Sequence, residues 1–197
     1  MFTEGHVEVD GTRVRYAEAG QGTPLVHVGT ADGPAPTPAD DLLARQFRVI
    51  ALELPGRGPA LERVIESLGL ADFNLMATAD ASAAAISLAL AEPGRVRALV
   101  LESPTAIGSG PRGELEWRLP DVSTPTLVLF GTSDQEAAQD SGRVYTGLIP
   151  NSHLVYVYDA AQAIGRDRPE AFAEVVTDFL ERHEAFIISR TPTVIHP

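Results

Sequence analysis

Two residue types are missing altogether from the 197-residue chain: it has no cysteine and no lysine, so all 15 of its basic residues are arginine. Without cysteine there can be no disulfide, no thiolate metal ligand and no thiol nucleophile. Without lysine, no side-chain amine can form a Schiff base. Positive charge is scarce as well, with a formal net charge of −12 and no basic cluster. That balance excludes nucleic acid or an anionic membrane as partner, since both need a basic face to displace counterions. Long apolar runs are also absent: none approaches the roughly twenty residues that cross a bilayer. The amino-terminal MFTEGHVEVDG has no charged segment leading into an apolar one, as a leader peptide would. A reducing, cytoplasmic location is the expectation, with no metal and no cofactor, because neither a His-x-x-x-His spacing nor a phosphate-binding glycine loop occurs. A hydrophobic share of 44% is enough to build one domain core.

The apolar residues that are present come in short runs. His6–Val9 and Thr12–Tyr16 alternate on either side of Asp10-Gly11, which reads as a two-residue hairpin. Pro24–Val28, Phe47–Leu52, Phe73–Met76, Val96–Leu101, Thr126–Phe130 and His153–Tyr158 are near-continuous Val/Leu/Ile stretches, the pattern of strands buried on both faces. Helical spacing occupies Ala39–Gln46, Ala60–Leu68, Ala81–Ala91, Gln135–Thr146 and Pro169–His183, the last with proline in its first turn. Gly29–Pro38, Pro55–Pro59 and Pro104–Pro120 read as loops. Strand and helix in alternation predict an α/β fold: a doubly wound, mostly parallel sheet with an antiparallel amino-terminal hairpin. The domain is expected over residues 1–184, with 185–197 as a tail.

Four segments in this order resemble the α/β-hydrolase superfamily. LELPGRG (Leu52–Gly58) is similar to the family's strand-end turn, with Glu53 where Asp is usual, and EPGRVRALVLESP (Glu92–Pro104) to a helix end and the next strand. TPTLVLFGTSD (Thr124–Asp134) resembles the strand whose loop carries the catalytic acid, and RPEAFAEVVTDFLERH (Arg168–His183) resembles the terminal helix. The resemblance implies a serine nucleophile between small residues at a tight strand-to-helix elbow. Here that place reads Ala77-Thr78-Ala79-Asp80-Ala81, so the apex is Ala79, with Leu75-Met76 before it and Pro93 fourteen residues beyond. Moving the frame by one would make Asp80 the nucleophile, as in the family's dehalogenase and epoxide hydrolase branches. Asp80 can equally sit in the first helical turn, where the helix dipole favours a carboxylate.

The base is expected about seven residues before the proline of the last helix, a position held by Gln162, and a carboxamide cannot take a proton near neutral pH. Asp134 stands at the acid position, where an Asp can also cap the following helix. The family's His-Gly after its third strand aligns with Gly29-Thr30, leaving the N–H of Ala31 and that of Asp80 as oxyanion donors; Asp32 and Asp80 would weaken anion binding there. Of the histidines, His27 reads as a satisfied core residue within a strand. His6, His153, His183 and the tail's His196 have no metal spacing.

No cap domain fits into Ile107–Leu119, which holds the sole tryptophan, Trp117. The open cleft that results is expected to bind a small organic ligand through Gly29, Thr30, Ala31, Thr78 and Trp117, or to be covered by a partner. The β-prone tail EAFIISRTPTVIHP is expected to lie on the cleft or across a homodimer, or else to fray. Function is therefore read as ligand or partner binding without hydrolysis. The alternatives are a hydrolase acting on esters or epoxides through Asp80 or Asp134, and a non-hydrolytic enzyme dependent on Gln162 and Thr78. A histidine within bonding reach of a hydroxyl at the crest would contradict the leading, non-hydrolytic reading.

Overall fold

The structure is a computed structural model that describes residues 1–29, 36–54, 60–105, 113–134, 137–183, 186 and 193–195. Nine strands form one sheet in the order β1-β2-β4-β3-β5-β6-β7-β8-β9. The hairpin is as its Asp-Gly requires: β1 (Thr3–Val9) and β2 (Thr12–Ala19) pair antiparallel with Val9 opposite Thr12. Asp10 and Gly11 both take positive φ, 50° and 75°, which matches the twist of the flanking strands. β2 joins β4 (Arg48–Glu53) antiparallel, and from β4 onward every neighbour is parallel. β3 (Pro24–Gly29) lies between β4 and β5 (Phe73–Thr78), followed by β6 (Val96–Glu102), β7 (Thr126–Gly131) and β8 (Ser152–Val157).

Because side chains alternate across a strand, each parallel strand feeds two cores. On one face Val26, Leu75, Leu99 and Val128 pack with α2 (Leu61–Ser67), α3 (Ala81–Ala91) and α5 (Ala137–Leu148). On the other, Leu25, Met76, Val100, Leu129 and Val157 pack with α1 (Pro38–Leu43), α6 (Ile164–Asp167) and α7 (Pro169–Arg182). Phe172, Val176 and Phe179 of α7 are fully buried there, and each contributes about 1.5–3 kcal/mol by leaving water. The expected α/β architecture and the strand assignments are thus observed, with ends shifted by one to three residues.

Three features depart from the sequence reading. The stretch Pro104–Pro120 is not all loop: Glu114–Arg118 forms a short helix, α4, followed by a 3₁₀ turn at Leu119–Asp121, because Leu119 buries fully in the α3 side of the core. Ile164–Asp167 coils into α6, since Ile164 is buried and Asp167 accepts the Ala161 N–H, closing the turn. The described part of the tail, β9 (Thr193–Ile195), pairs parallel with β8 as the edge strand opposite β1. Phe186 meanwhile stacks edge-on against His153 and Phe179, at 5.3 and 5.4 Å between ring centres. No helix among the described residues is long and apolar enough to cross a membrane.

The end of β7 and the loop after β8 lie directly against each other at Gly131, where an added Cβ would sit 2.1 Å from the Ala160 carbonyl oxygen and 2.4 Å from that of Ala161. These are backbone atoms and cannot swing away. Gly131→Ala is therefore expected to destabilise the chain by about 1–3 kcal/mol, read as a lowered urea midpoint, whereas Gly147→Ala, with open space around it, should be within about 0.5 kcal/mol of the parent.

Candidate functional site

Parallel strands of such a sheet present their functional side chains at their carboxyl ends. At those ends of β3, β5 and β6, on the α1/α7 face, the apolar ladder gives way to three polar residues: His27, Thr78 and Glu102. They are joined into one chain of hydrogen bonds. Asp40 of α1 accepts from His27 Nδ1 at 2.9 Å, His27 Nε2 lies 3.1 Å from Thr78 Oγ1, and Thr78 Oγ1 donates to Glu102 Oε2 at 2.8 Å. The N–H of Gly165 in α6 donates to Glu102 Oε1 at 2.8 Å, so α1 closes one end of the chain and α6 the other.

Local sequence explains why Asp40 is so firmly placed. Thr37-Pro38-Ala39-Asp40 forms a capping box: the Asp40 N–H bonds Thr37 Oγ1 at 3.2 Å, while Asp40 Oδ2 takes both the Thr37 N–H at 2.7 Å and its hydroxyl at 2.9 Å. His27, Asp40 and Glu102 are buried, at 7%, 0% and 3% exposure, and Thr78 is half-buried, so Thr78 is the residue of the chain nearest solvent.

Burial disfavours each ion, and the pairing decides the outcome. Loss of water would lower the His27 pKa, but the Asp40 charge and hydrogen bond, with Glu102 beyond, outweigh it and raise it above its ordinary 6.5. Loss of water would raise Asp40, yet His27 and Thr37 hold it below 3.8. Burial pushes Glu102 above 4.5, only partly offset by His27, Gly165 and Thr78. Two proton arrangements with the same total then exist. Either His27 is an imidazolium and Thr78 donates to a Glu102 carboxylate, or Glu102 holds the proton, donates to Thr78, and Thr78 donates to a neutral His27.

Immediately beyond Thr78 the chain turns from β5 into α3. The residue forced into the left-handed region is Ala79, at φ 48°, its N–H donating to the Glu102 carbonyl at 3.0 Å. A non-glycine residue there is strained by about 1–3 kcal/mol. Asp80 has an ordinary helical φ of −63°, makes no side-chain cap of α3, and accepts from Thr105 Oγ1 at 2.9 Å. Asp134, half-buried, follows β7 in a turn closed by its N–H on the Gly131 carbonyl. Gln162 is exposed in the segment between β8 and α6, three residues before Gly165. Gly29 ends β3, whereas Thr30, Ala31 and Asp32 lie outside the described residues, as do Pro55–Pro59 and His196. Trp117 lies on α4 at 65% exposure.

Sequence reasoning named His27 as a satisfied core residue and Thr78 as a ligand contact, but missed Asp40 and Glu102. It also expected no histidine within reach of a hydroxyl at the crest. That expectation is corrected one residue before Ala79, where His27 Nε2 meets Thr78 Oγ1. Two signals were available: the T-x-x-D of a capping box opening α1, and a charged residue ending the apolar VRALVLE of β6. A carboxylate trio, Glu62, Glu66 and Glu92, also gathers on the exposed surface among the described residues. Glu66 pairs with Arg63 and Glu92 with Arg95, so it is a solvated, charge-compensated patch.

No family model matches the chain. Over 155 residues, 71% of its length, it is 28% identical to the protein ABHD14A of Mus musculus, and over 156 residues 25% identical to that of Danio rerio. The matches cover 61% and 56% of those proteins, so the chain spans about three fifths of the curated relatives. Among solved structures it is similar to CarC, a serine hydrolase involved in carbazole degradation, with a TM-score of 0.81, 18% identity and coverage of 92% of this chain and 99% of that one. It also resembles the esterase RhEst1 of Rhodococcus sp. ECU1013, at 0.78 and 19%, covering 92% and 99%.

The linkage of the buried chain to pH follows from these shifts. Asp40, with its lowered pKa, contributes fully above 3.8 and loses that contribution as pH falls through its folded value. His27, with a raised pKa, contributes fully below 6.5 and loses it as pH rises through its folded value; Glu102 costs stability as pH climbs from 4.5 through its own. Stability should therefore fall from about pH 4.5 upward. Glu102→Gln should flatten that decline, the variant gaining on the parent as pH rises in urea titrations between about pH 4 and 8. Asp40→Ala, which strands the buried imidazole and breaks the cap, should cost about 3–5 kcal/mol. Removing Asp178 from its exposed pair with Arg182 should cost under about 1 kcal/mol.

Proposed function

We propose that this chain, which has the α/β-hydrolase fold, holds a small organic ligand at the carboxyl ends of β3, β5 and β6 and performs no acyl transfer from its elbow apex. The observation that carries the reading is Ala79: it occupies the left-handed turn between β5 and α3 and offers a methyl group where attack would begin. Gln162 supports the same reading. Lying in the segment after β8, where the resemblance calls for an imidazole, it can orient a ligand through hydrogen bonds but cannot carry a proton.

A polar ligand group at this mouth meets the half-buried Thr78 and the start of α3, where backbone N–H groups favour an oxygen acceptor. Net negative charge favours a neutral ligand, such as a small ester or ketone, over an anion. The described part of the tail lies on the β8 edge, which favours a ligand over the tail as occupant. Two similar solved structures are named a serine hydrolase and an esterase, which makes esters the class to try first.

Restoring the missing pair tests the reading. On p-nitrophenyl acetate, Ala79→Ser alone and Gln162→His alone should each stay close to the parent rate. The double substitution should exceed either by roughly 100-fold, the usual worth of a positioned general base. A single Ala79→Ser that reached the double variant's rate would mean the base was never lost. Occupancy is read separately, by amide shifts at Thr78–Asp80 and Ala161–Gln162 on titration with phenyl acetate.

A further inference from the structure

The polar chain beneath the elbow has a feature that ligand holding does not require. Its hydroxyl, imidazole and first carboxylate stand in sequence: Thr78 Oγ1 3.1 Å from His27 Nε2, and His27 Nδ1 2.9 Å from Asp40 Oδ1. A nucleophile within hydrogen-bond reach of a base, itself oriented by a third group, is recognised by geometry and not by position in the chain. We propose that Thr78, His27 and Asp40 form a displaced hydroxyl–imidazole–carboxylate set that takes the acyl group of small activated esters onto Thr78 Oγ1. The proposal goes beyond the ligand-holding reading, because it makes the occupant a substrate of a residue other than the apex.

Four observations carry it. The side chains come from the consecutive elements β3 and α1 and from β5, with Thr78 51 positions from His27, and a core needs no such alignment to be stable. Asp40 is locked by the capping box, which leaves Oδ1 aimed at His27 Nδ1 and fixes the proton on that nitrogen. Of the four connected polar residues, Thr78 is half-buried while His27, Asp40 and Glu102 are buried, so Thr78 is the one a substrate can approach. Glu102, finally, gives the hydroxyl a second partner at 2.8 Å, which holds the oxygen in place between base and acid.

The step balances with water as the only co-reactant. In the arrangement where Glu102 carries the shared proton, Thr78 donates to a neutral His27. Thr78 Oγ1 bonds the acyl carbon, its proton moves to His27 Nε2, and the bond from that carbon to the leaving oxygen breaks, the imidazolium returning the proton to that oxygen. Water then attacks the acyl-threonine and gives a proton to Nε2; the carbon–Oγ1 bond breaks, Thr78 recovers its proton, and a carboxylic acid is released. Asp40 remains ionised throughout and stabilises the imidazolium.

Rapid mixing of the full chain with p-nitrophenyl acetate, followed by acid quench and peptide mass analysis, tests the assignment. The expected result is a burst approaching one nitrophenolate per chain and an acetyl group on Thr78. Thr78→Val, which nearly preserves shape, should abolish the burst; Thr78→Ser should keep it, and His27→Gln should slow acylation at least 100-fold. Circular dichroism checks that each variant is folded, and the acetyl position in the parent answers the question even if His27→Gln is not. No burst at saturating ester, an acetyl group only on other residues, or a burst unchanged in Thr78→Val overturns the assignment. These outcomes leave the ligand site standing if phenyl acetate still shifts the amides at Thr78–Asp80; absent shifts overturn that site as well.

Discussion

The bond between Asp40 and His27 is the constraint on which the arrangement of this molecule's strand ends depends. An imidazole at 7% exposure and a carboxylate at 0% could not stay charged apart from each other, and removing both from water is tolerable only in near-ideal geometry. The capping box of α1 supplies that geometry by fixing Asp40, and the helix start is thereby tied to the central strand β3. From His27 the constraint runs through Thr78 to Glu102 and into α6 at Gly165. Three strands and two helices are registered by one line of polar contacts, in a region where an apolar core would leave their relative heights less defined.

The same line lies directly beneath the turn from β5 into α3. Ala79 is held at φ 48° with its N–H on the carbonyl of Glu102, so backbone and side chain of a single residue support the turn and the polar chain together. Strain of this kind persists only where the surroundings over-determine it. A tight strand-to-helix turn is thus held around a residue whose side chain is a methyl group, while the hydroxyl of Thr78, with the imidazole and carboxylates it joins, sits one residue earlier.

How much of this was legible in the sequence differs between fold and site, for physical reasons. Buried parallel strands announce themselves as continuous Val/Leu/Ile runs, and the Asp10-Gly11 hairpin and the proline at the start of α7 are local signals, so the sheet could be read almost to its ends. α4 was hidden because it is five residues long and flanked by Gly and Pro; what forms it is the burial of Leu119, a tertiary contact. Asp40 and Glu102 were hidden for a related reason. Each has an ordinary local explanation, a cap and a strand end, and only the packing of α1 over β3 and the pairing of β5 with β6 bring them to His27 and Thr78. An arrangement that joins His27 to Thr78 across 51 positions of the chain leaves no such local signal.

The central claim is that His27 is held by Asp40 and Thr78 as part of one buried polar chain, and proton-resolved NMR of the imidazole tests it most directly. The account predicts a far-downfield Nδ1 proton for His27, slow to exchange and lost in Asp40→Asn, on a ring whose titration midpoint lies above the ordinary 6.5. A His27 ring that exchanges freely with solvent and titrates at or below that value, unchanged when Asp40 is replaced, would contradict it.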